Sequence, residues 1–175
     1  MIVWLLLALG CVESQGEEDT AWSPYLGSSA VWSDVVINEF MASNATGIQD
    51  STGAYPDWIE LFNPTAEDID LEGWTLSDDI GERDRHTLAG LSIEAGGWLL
   101  LYADGDPEQG DEHLDFSLDA DGEEIGLYSP DGGVVDELEF GSLPTDHSAA
   151  RQLDAGSEWE ITDAPTPGAS NGETR

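Results

Sequence analysis

Positive charge is what this chain has least of. Its 175 residues include no lysine and only four arginines, against 38 aspartates and glutamates, so the formal net charge is −34 at pH 7. Nucleic acids are bound chiefly through Lys and Arg contacts to phosphate, so this composition argues against a nucleic-acid partner. Most of these carboxylates are expected to lie solvated on the surface, where physiological salt screens their repulsion beyond about 8 Å.

Cysteine and long apolar runs are also scarce. Cys11 is the only cysteine, which excludes an intrachain disulfide, and a domain of this length can bury a core without one. The apolar run at 2–10 has nine residues, well short of the ~20 that a transmembrane helix needs. A short apolar run at the N-terminus is typical of a secretory signal.

The end of that run predicts a lipid anchor. Ala8-Leu9-Gly10-Cys11 resembles a bacterial lipobox, in which the chain is cut before the cysteine and the thiol is lipidated. Ala8 replaces the usual leucine, and no basic residue precedes the run, so an ordinary cleaved signal is the alternative. We expect a lipoprotein-type signal peptide over 1–10, a flexible acidic linker over 11–34, a domain over 35–171 and a tail over 172–175.

The rest of the chain has the patterns of strands. In DWIELFN, Ile59 and Leu61 alternate with Trp58, Glu60 and Phe62, the period of two that fits a pleated strand. SPDGG at 129–133 is a hairpin turn between two further alternating runs. WLLLYA at 98–103 is almost continuously apolar, which predicts a central strand covered on both faces. No ten-residue stretch after the signal has helical periodicity, so we expect an all-β sandwich.

Several spaced blocks carry a family resemblance. INEF-MASN, DWIELFN and LEGWTLSD, followed in order by AGGWLLLYADG, HLDFSLDADGEEIGLYSPDG, VVDELEFG and SAARQLDAGSEWEITDAPTPGASN, resemble the bacterial form of the lamin tail domain. The resemblance implies an immunoglobulin-like β-sandwich that serves in binding or attachment, with no catalytic residues to carry over. The residues that we assign to its structural motif are Asn38, Glu39, Asp57, Trp58, Glu60, Asn63, Gly73, Trp74, Asp78 and Arg151.

Large side chains in these blocks are expected to pack and not to bind ligands. Trp58, Trp74, Trp98 and Trp159 are the main core candidates, and each is expected to need a partner for its indole N–H. Arg151 is expected to form a structural ion pair with carboxylates at the edge of the core.

One loop could hold a hard cation. Carboxylates alternate along it, and oxygen ligands of this kind suit calcium. The loop is not an EF-hand, because Gln109 occupies the sixth position, where glycine is needed, and Asp115 the twelfth. The candidate ligands are Asp104, Asp106, Glu108 and Asp111. A second gathering of acids at one end of the sandwich is an alternative, comprising Asp50, Asp57, Asp78 and Asp79. Apart from calcium, we expect no cofactor.

Catalytic signatures are weak. The three histidines lack metal-site spacing, and the triad letters Asp146-His147-Ser148 are adjacent, so their side chains are expected to diverge. We therefore predict a non-catalytic protein of the bacterial cell envelope, lipid-anchored at the outer membrane or cell surface, or else secreted and soluble. Its partner would be an unidentified envelope or extracellular protein or a glycan. An extracytoplasmic hydrolase with a carboxylate or metal centre, and a calcium-stabilised structural lipoprotein, remain as alternatives.

Overall fold

Strands dominate the computed structural model, which describes residues 35–172. Within that range the only helical element is a single 3₁₀ turn, Pro107–Gln109. The strands in chain order are β1 Val36–Met41, β2 Asp57–Phe62, β3 Ile69–Asp70, β4 Thr75–Ser77, β5 His86–Thr87, β6 Ser92–Ile93, β7 Trp98–Ala103, β8 His113–Leu114, β9 Gly122–Tyr128, β10 Val134–Gly141, β11 Ser148–Arg151 and β12 Trp159–Thr162. The all-β prediction is confirmed.

The strands form two main sheets and one small one. The six-stranded sheet has the order β12-β11-β1-β2-β7-β8, and the four-stranded sheet has the order β10-β9-β4-β5. All neighbours are antiparallel except β7 and β8, and β3 pairs with β6 in a separate two-stranded sheet. Crossovers between the main sheets produce the immunoglobulin-like sandwich that the sequence predicts.

The core lies between the two main sheets. Phe40 of β1 contacts Phe140 of β10 with ring centroids 4.7 Å apart, and Trp159 of β12 meets Phe40 edge-on at 5.8 Å. Each large apolar side chain buried in this way contributes about 1.5–3 kcal/mol. The six-stranded sheet supplies Ile37, Ile59, Leu61, Leu101 and Ala149, and the four-stranded sheet supplies Leu76, Ile125, Leu127 and Leu138.

A bulge in β1 decides which side chains face outward. The register between β1 and β2 shifts between Ile37 and Glu39, so Ile37 and Phe40 both reach the core although three positions separate them. Beyond the bulge, Glu39 lies directly opposite Glu60 of β2. Residues opposite each other in an antiparallel pair share a face, so both carboxylates lie on the outer face of the six-stranded sheet.

β1 is covered on both faces and β7 is not, so the prediction for WLLLYA was wrong. All six residues of β1 are buried, whereas Trp98, Leu100 and Tyr102 of β7 are only half-buried on the outer face. Trp98 stacks on Phe62 there, with centroids 5.3 Å apart. A continuous apolar sequence shows that a strand is hydrophobic, but it does not show whether other parts of the chain pack on both of its faces. β1 is covered instead because residues 163–172, here called the C-terminal segment, lie over it.

The tryptophans divide between full and partial burial. Trp58 and Trp159 are buried as predicted, while Trp74 and Trp98 are half-buried. Trp58 lies outside the core cluster between the sheets, on the outer face beside Glu60. No hydrogen-bond acceptor lies at the indole nitrogens of Trp58, Trp98 or Trp159, so the expectation of a partner for each was wrong for these three.

Two glycines meet particular steric needs. Gly73 has φ 79°, in the left-handed region, within the turn in which Trp74 N donates to Leu71 O at 2.9 Å. Gly126 of β9 lies under the ring of Tyr128, so a Cβ there would sit 2.6 Å from Tyr128 Cζ. Glycine therefore permits the close approach of the aromatic ring to the strand backbone.

Candidate functional site

The most unusual group of side chains is a buried polar network on the outer face of β1 and β2. Glu39 and Glu60 face each other across these strands, and both are 0% exposed. Buried carboxylates are rare unless hydrogen bonds or cations satisfy their oxygens. No Arg or His within residues 35–172 forms an ion pair with either group.

Neutral donors satisfy Glu39. Ser148 Oγ on β11 donates to Glu39 Oε1 at 2.5 Å. From the C-terminal segment, Thr166 Oγ1 and Thr166 N donate to Glu39 Oε2 at 2.9 and 3.1 Å. Glu39 therefore joins three parts of the chain: β1, β11 and the C-terminal segment.

Glu60 is held in the same way. Gly168 N donates to Glu60 Oε2 at 2.6 Å, and Asn38 Nδ2 donates to Glu60 Oε1 at 3.1 Å. Asn38 Nδ2 also donates to Asp154 Oδ1 at 3.0 Å, which brings a third carboxylate to the network. Asn171 completes it, with its N donating to Asp154 Oδ1 and its Nδ2 to Asn38 O, both at 3.1 Å.

The electrostatics of this network favour a retained proton. Burial raises the pKa of Glu60 to about 7, and the hydrogen bonds from Gly168 and Asn38 oppose that rise only in part, while Glu39 and Asp154 add to it. Burial also raises the pKa of Glu39, against the opposing hydrogen bonds from Ser148 and Thr166. Two like charges at close range in a dry site cannot both ionise at their ordinary pKa values.

Arg151 serves a neighbouring polar cluster at the edge of the core. Its Nη2 pairs with Asp136 Oδ2 of β10 at 2.8 Å, its Nε donates to Ile37 O at 2.7 Å, and its Nη1 donates to Gly156 O. The guanidinium also lies 4.7 Å from the ring centroid of Trp159. Burial raises the pKa of Asp136, and the Arg151 charge opposes this. Arg151 thus links the two main sheets through a structural ion pair.

Asn63 and Asp57 organise loops. Asn63 Nδ2 donates to Glu67 O at 2.8 Å and to Glu94 O at 3.0 Å, so one amide joins two loops. Asp57 Oδ1 accepts from Asn44 N at 3.1 Å, and burial raises its pKa.

The second predicted gathering of acids does not form. Asp78 pairs with Arg85 at 2.6 Å, and burial raises the pKa of Asp78. Asp57 is engaged with Asn44 instead, and Asp50 accepts hydrogen bonds within its own turn from Thr52 and Ala54. Asp79 Oδ1 accepts from Gly81 N at 2.7 Å, so each of the four acids is occupied in a separate local structure.

The acidic loop after β7 does not assemble the predicted calcium ligands. Asp104 Oδ2 accepts from Gln109 Nε2 at 3.0 Å and contacts His113 Nδ1 at 2.7 Å, while Asp106, Glu108 and Asp111 are exposed. Across residues 35–172, no group of three or more His, Cys, Asp or Glu side chains is placed to hold a metal ion. The reason is local, because protein donors already occupy Asp104.

The side chains of the adjacent residues Asp146, His147 and Ser148 point to different partners, as their adjacency in the sequence predicts. Asp146 accepts from Ala45 N at 2.7 Å and from Thr46 N at 2.9 Å, and these hydrogen bonds lower its pKa. His147 Nδ1 contacts Thr145 O at 3.0 Å, and Ser148 donates to Glu39. The three side chains have separate partners and do not form a relay.

Several members of the network are not among the motif residues assigned from the sequence. Ser148 and Asp154 lie in the β11 region, and Thr166, Gly168 and Asn171 lie in TPGASN at 166–171, the end of the last block of the family resemblance. This stretch was the sequence signal that could have pointed to these network residues. Its threonine, glycine and asparagine supply backbone and side-chain donors. The carboxylates that Thr166 and Gly168 reach are more than 100 residues away, whereas Asn171 reaches the nearby Asp154.

The fold and this network define a class: an immunoglobulin-like β-sandwich whose polar motif residues are engaged in holding the fold. The model of the Lamin Tail Domain family matches residues 28–142, and the chain belongs to that family. Lamin tail domains are non-catalytic immunoglobulin-like modules. The match ends before β11, although β11, β12 and the C-terminal segment complete the six-stranded sheet and its cover. The sequence matches none of the curated proteins with which it was compared.

The predicted signal peptide, the lipidation site Cys11 and the acidic linker lie outside the described residues. In the part of the chain that the structure describes, no helix is long and apolar enough to cross a membrane.

Proposed function

We propose that this protein is an attachment module of the bacterial cell envelope, tethered by lipid at Cys11, whose lamin tail domain binds a partner protein with a basic surface. The motif residues support a binding role and not catalysis, because their polar atoms are engaged inside the fold. Recognition is then left to the outer surface of the domain.

The charge arrangement carries the choice of partner. Each arginine in residues 35–172 is paired with a carboxylate: Arg83 with Glu137, Arg85 with Asp78, and Arg151 with Asp136. The cations are thus neutralised within the domain, and the remaining acids leave an anionic surface. Such a field steers basic partners and repels acidic ones.

The surface offers few exposed apolar side chains through which a partner could bind. Within the described residues, the large hydrophobic side chains that are exposed are Tyr55, Ile80, Val134 and Leu153. Scattered single residues of this kind are ordinary on a soluble surface, whereas an apolar interface requires a continuous patch. Charge is therefore the dominant feature that a partner would recognise.

Capture from an envelope extract tests the partner. The full chain is immobilised and the extract is applied at about 0.05 M and about 0.5 M salt, since screening shortens sharply over that range. We expect a protein with a basic surface to bind at low salt and to elute at high salt. Salt-independent capture, or capture of glycan alone, would contradict the proposed partner.

Fractionation tests the anchor separately. Cys11→Ala removes the thiol that would carry lipid, and Cys11→Ser is its matched control of similar size. We expect both variants to leave the membrane fraction and to lose incorporation of a labelled fatty acid. Retention of either variant in the membrane fraction would refute lipidation at Cys11.

A further inference from the structure

The C-terminal segment is held to the domain by polar contacts. None of its residues 163–172 is fully buried, so little apolar surface fixes it. Its attachment includes Thr166 N and Oγ1 donating to Glu39, Gly168 N to Glu60, and Asn171 N to Asp154, together with Asn171 Nδ2 donating to the carbonyl oxygen of Asn38. Because three of these four acceptor groups are carboxylates, the stability of the contact depends on their ionisation.

The titratable groups around these contacts are all acidic. Glu39 on β1, Glu60 on β2 and Asp154 in the loop after β11 form the network. Exposed Glu160 on β12 shares the outer face, because it lies opposite Ala150, which lies opposite Glu39. β7 contributes neutral Leu100 opposite Glu60, β11 contributes Ser148, and the segment itself carries only exposed Asp163.

We propose that residues 163–172 form a pH-sensitive latch, docked on β1 and β2 while the Glu39–Glu60 pair retains a proton and released when both carboxylates ionise. In the docked state the segment excludes water from both groups, so a second negative charge is poorly solvated. Release exposes the carboxylates to water, which solvates both charges. This device is independent of the proposed partner and anchor.

The direction of the effect follows from proton linkage. The pKa of Glu60 is about 7 in the docked state, compared with 4.5 for a solvated glutamate. Between these values the docked state binds more protons than the released state, so docking weakens as pH rises. The docking equilibrium constant is expected to fall about tenfold per pH unit in this window, and up to about 300-fold across it.

Amide hydrogen exchange of the full chain by NMR measures docking directly. Protection factors, which remove the intrinsic pH dependence of exchange, are followed from pH 5 to pH 8 for the amides of Thr166 and Gly168. The control amides are Leu88, which donates to Trp74 O, and Trp74, which donates to Leu71 O. We expect protection of the two segment amides to fall at least tenfold as pH rises to 7, while the control amides keep theirs.

Variants separate the latch from general opening. Glu60→Gln removes the titrating group and is expected to flatten the pH profile of the two segment amides. Asp154→Asn keeps an oxygen acceptor but removes a neighbouring negative charge that raises the pKa of Glu60. We therefore expect the segment to be released at a higher pH in this variant than in the wild type. Glu139→Gln, an exposed loss of one charge on β10, is expected to leave the profile unchanged. Segment amides that track the controls at every pH, or a profile unaffected by Glu60→Gln, would overturn the proposal.

Discussion

Replacing Glu60 by glutamine should make this protein less sensitive to rising pH. Glutamine has nearly the same shape as glutamic acid and cannot ionise, so it tests the cost of charge at a site that is fully buried. In the wild-type protein the pKa of this carboxyl is about 7, raised mainly by burial from 4.5. The stability that protonated Glu60 contributes is complete below pH 4.5 and is lost as pH rises through 7.

The magnitude follows from that difference in pKa. A rise of about 2.5 units corresponds to ~3.4 kcal/mol at pH values well above 7, at 1.36 kcal/mol per unit. Glutamine presents an amide NH₂ to one of the two donors, Gly168 N or Asn38 Nδ2, and that mismatch costs about 1 kcal/mol. We therefore expect a net stabilisation of roughly 2 kcal/mol at pH 8 and a slight destabilisation at pH 5.

Urea unfolding at pH 5, 6, 7 and 8 measures the effect as a difference between Glu60→Gln and wild type. Taking the difference cancels the contribution of titrating groups that do not interact with Glu60. If the C-terminal segment is released before global unfolding, the difference stops increasing at the pH of release, which the exchange experiment identifies. A stability difference that stays constant from pH 5 to 8 would refute the reasoning that a buried charge at Glu60 is costly.

Three further predictions follow from the packing. Asp136→Asn leaves the Arg151 guanidinium without its carboxylate and should destabilise the fold by about 3–5 kcal/mol in urea unfolding, whereas Glu139→Gln on the same strand should stay within ~0.5 kcal/mol; equal effects would contradict a structural ion pair. Gly126→Ala should displace the Tyr128 ring and cost about 1–3 kcal/mol, with changed near-ultraviolet circular dichroism, and an unchanged spectrum would contradict the close approach. Millimolar calcium should raise Tm no more than magnesium at the same concentration, because the described acids do not form a metal group; a calcium-specific rise would contradict this.

The polar residues of the family motif have a shared structural explanation. Asn38, Glu39 and Glu60 lie where β1, β2 and the C-terminal segment meet, and each contributes to the same hydrogen-bond network. Removing one partner would leave another buried polar atom unsatisfied, at about 1–3 kcal/mol each. These side chains therefore stabilise a particular arrangement of the chain and are not free to bind a substrate.

The local elements could be predicted because their causes are local. The alternation in DWIELFN places Ile59 and Leu61 toward the core, and SPDGG forms its turn with Ser129 N donating to Gly133 O. Composition alone determined the net charge and the scarcity of cations. The side-chain period of a strand and the conformational preferences of Pro and Gly act over a few residues, so the sequence displays them directly.

Only the tertiary structure decided what those strands contact. The pairing of Glu39 with Glu60 depends on the antiparallel register of β1 and β2 and on the bulge after Ile37, neither of which a residue pattern specifies. Thr166 and Gly168 reach these carboxylates from 127 and 108 residues away. Likewise, the apolar sequence of β7 does not reveal that the C-terminal segment covers the outer face of β1 and leaves that of β7 half-exposed. Burial and pKa arise from groups that meet through folding, so the sequence determined the strands and the tertiary structure decided the buried network.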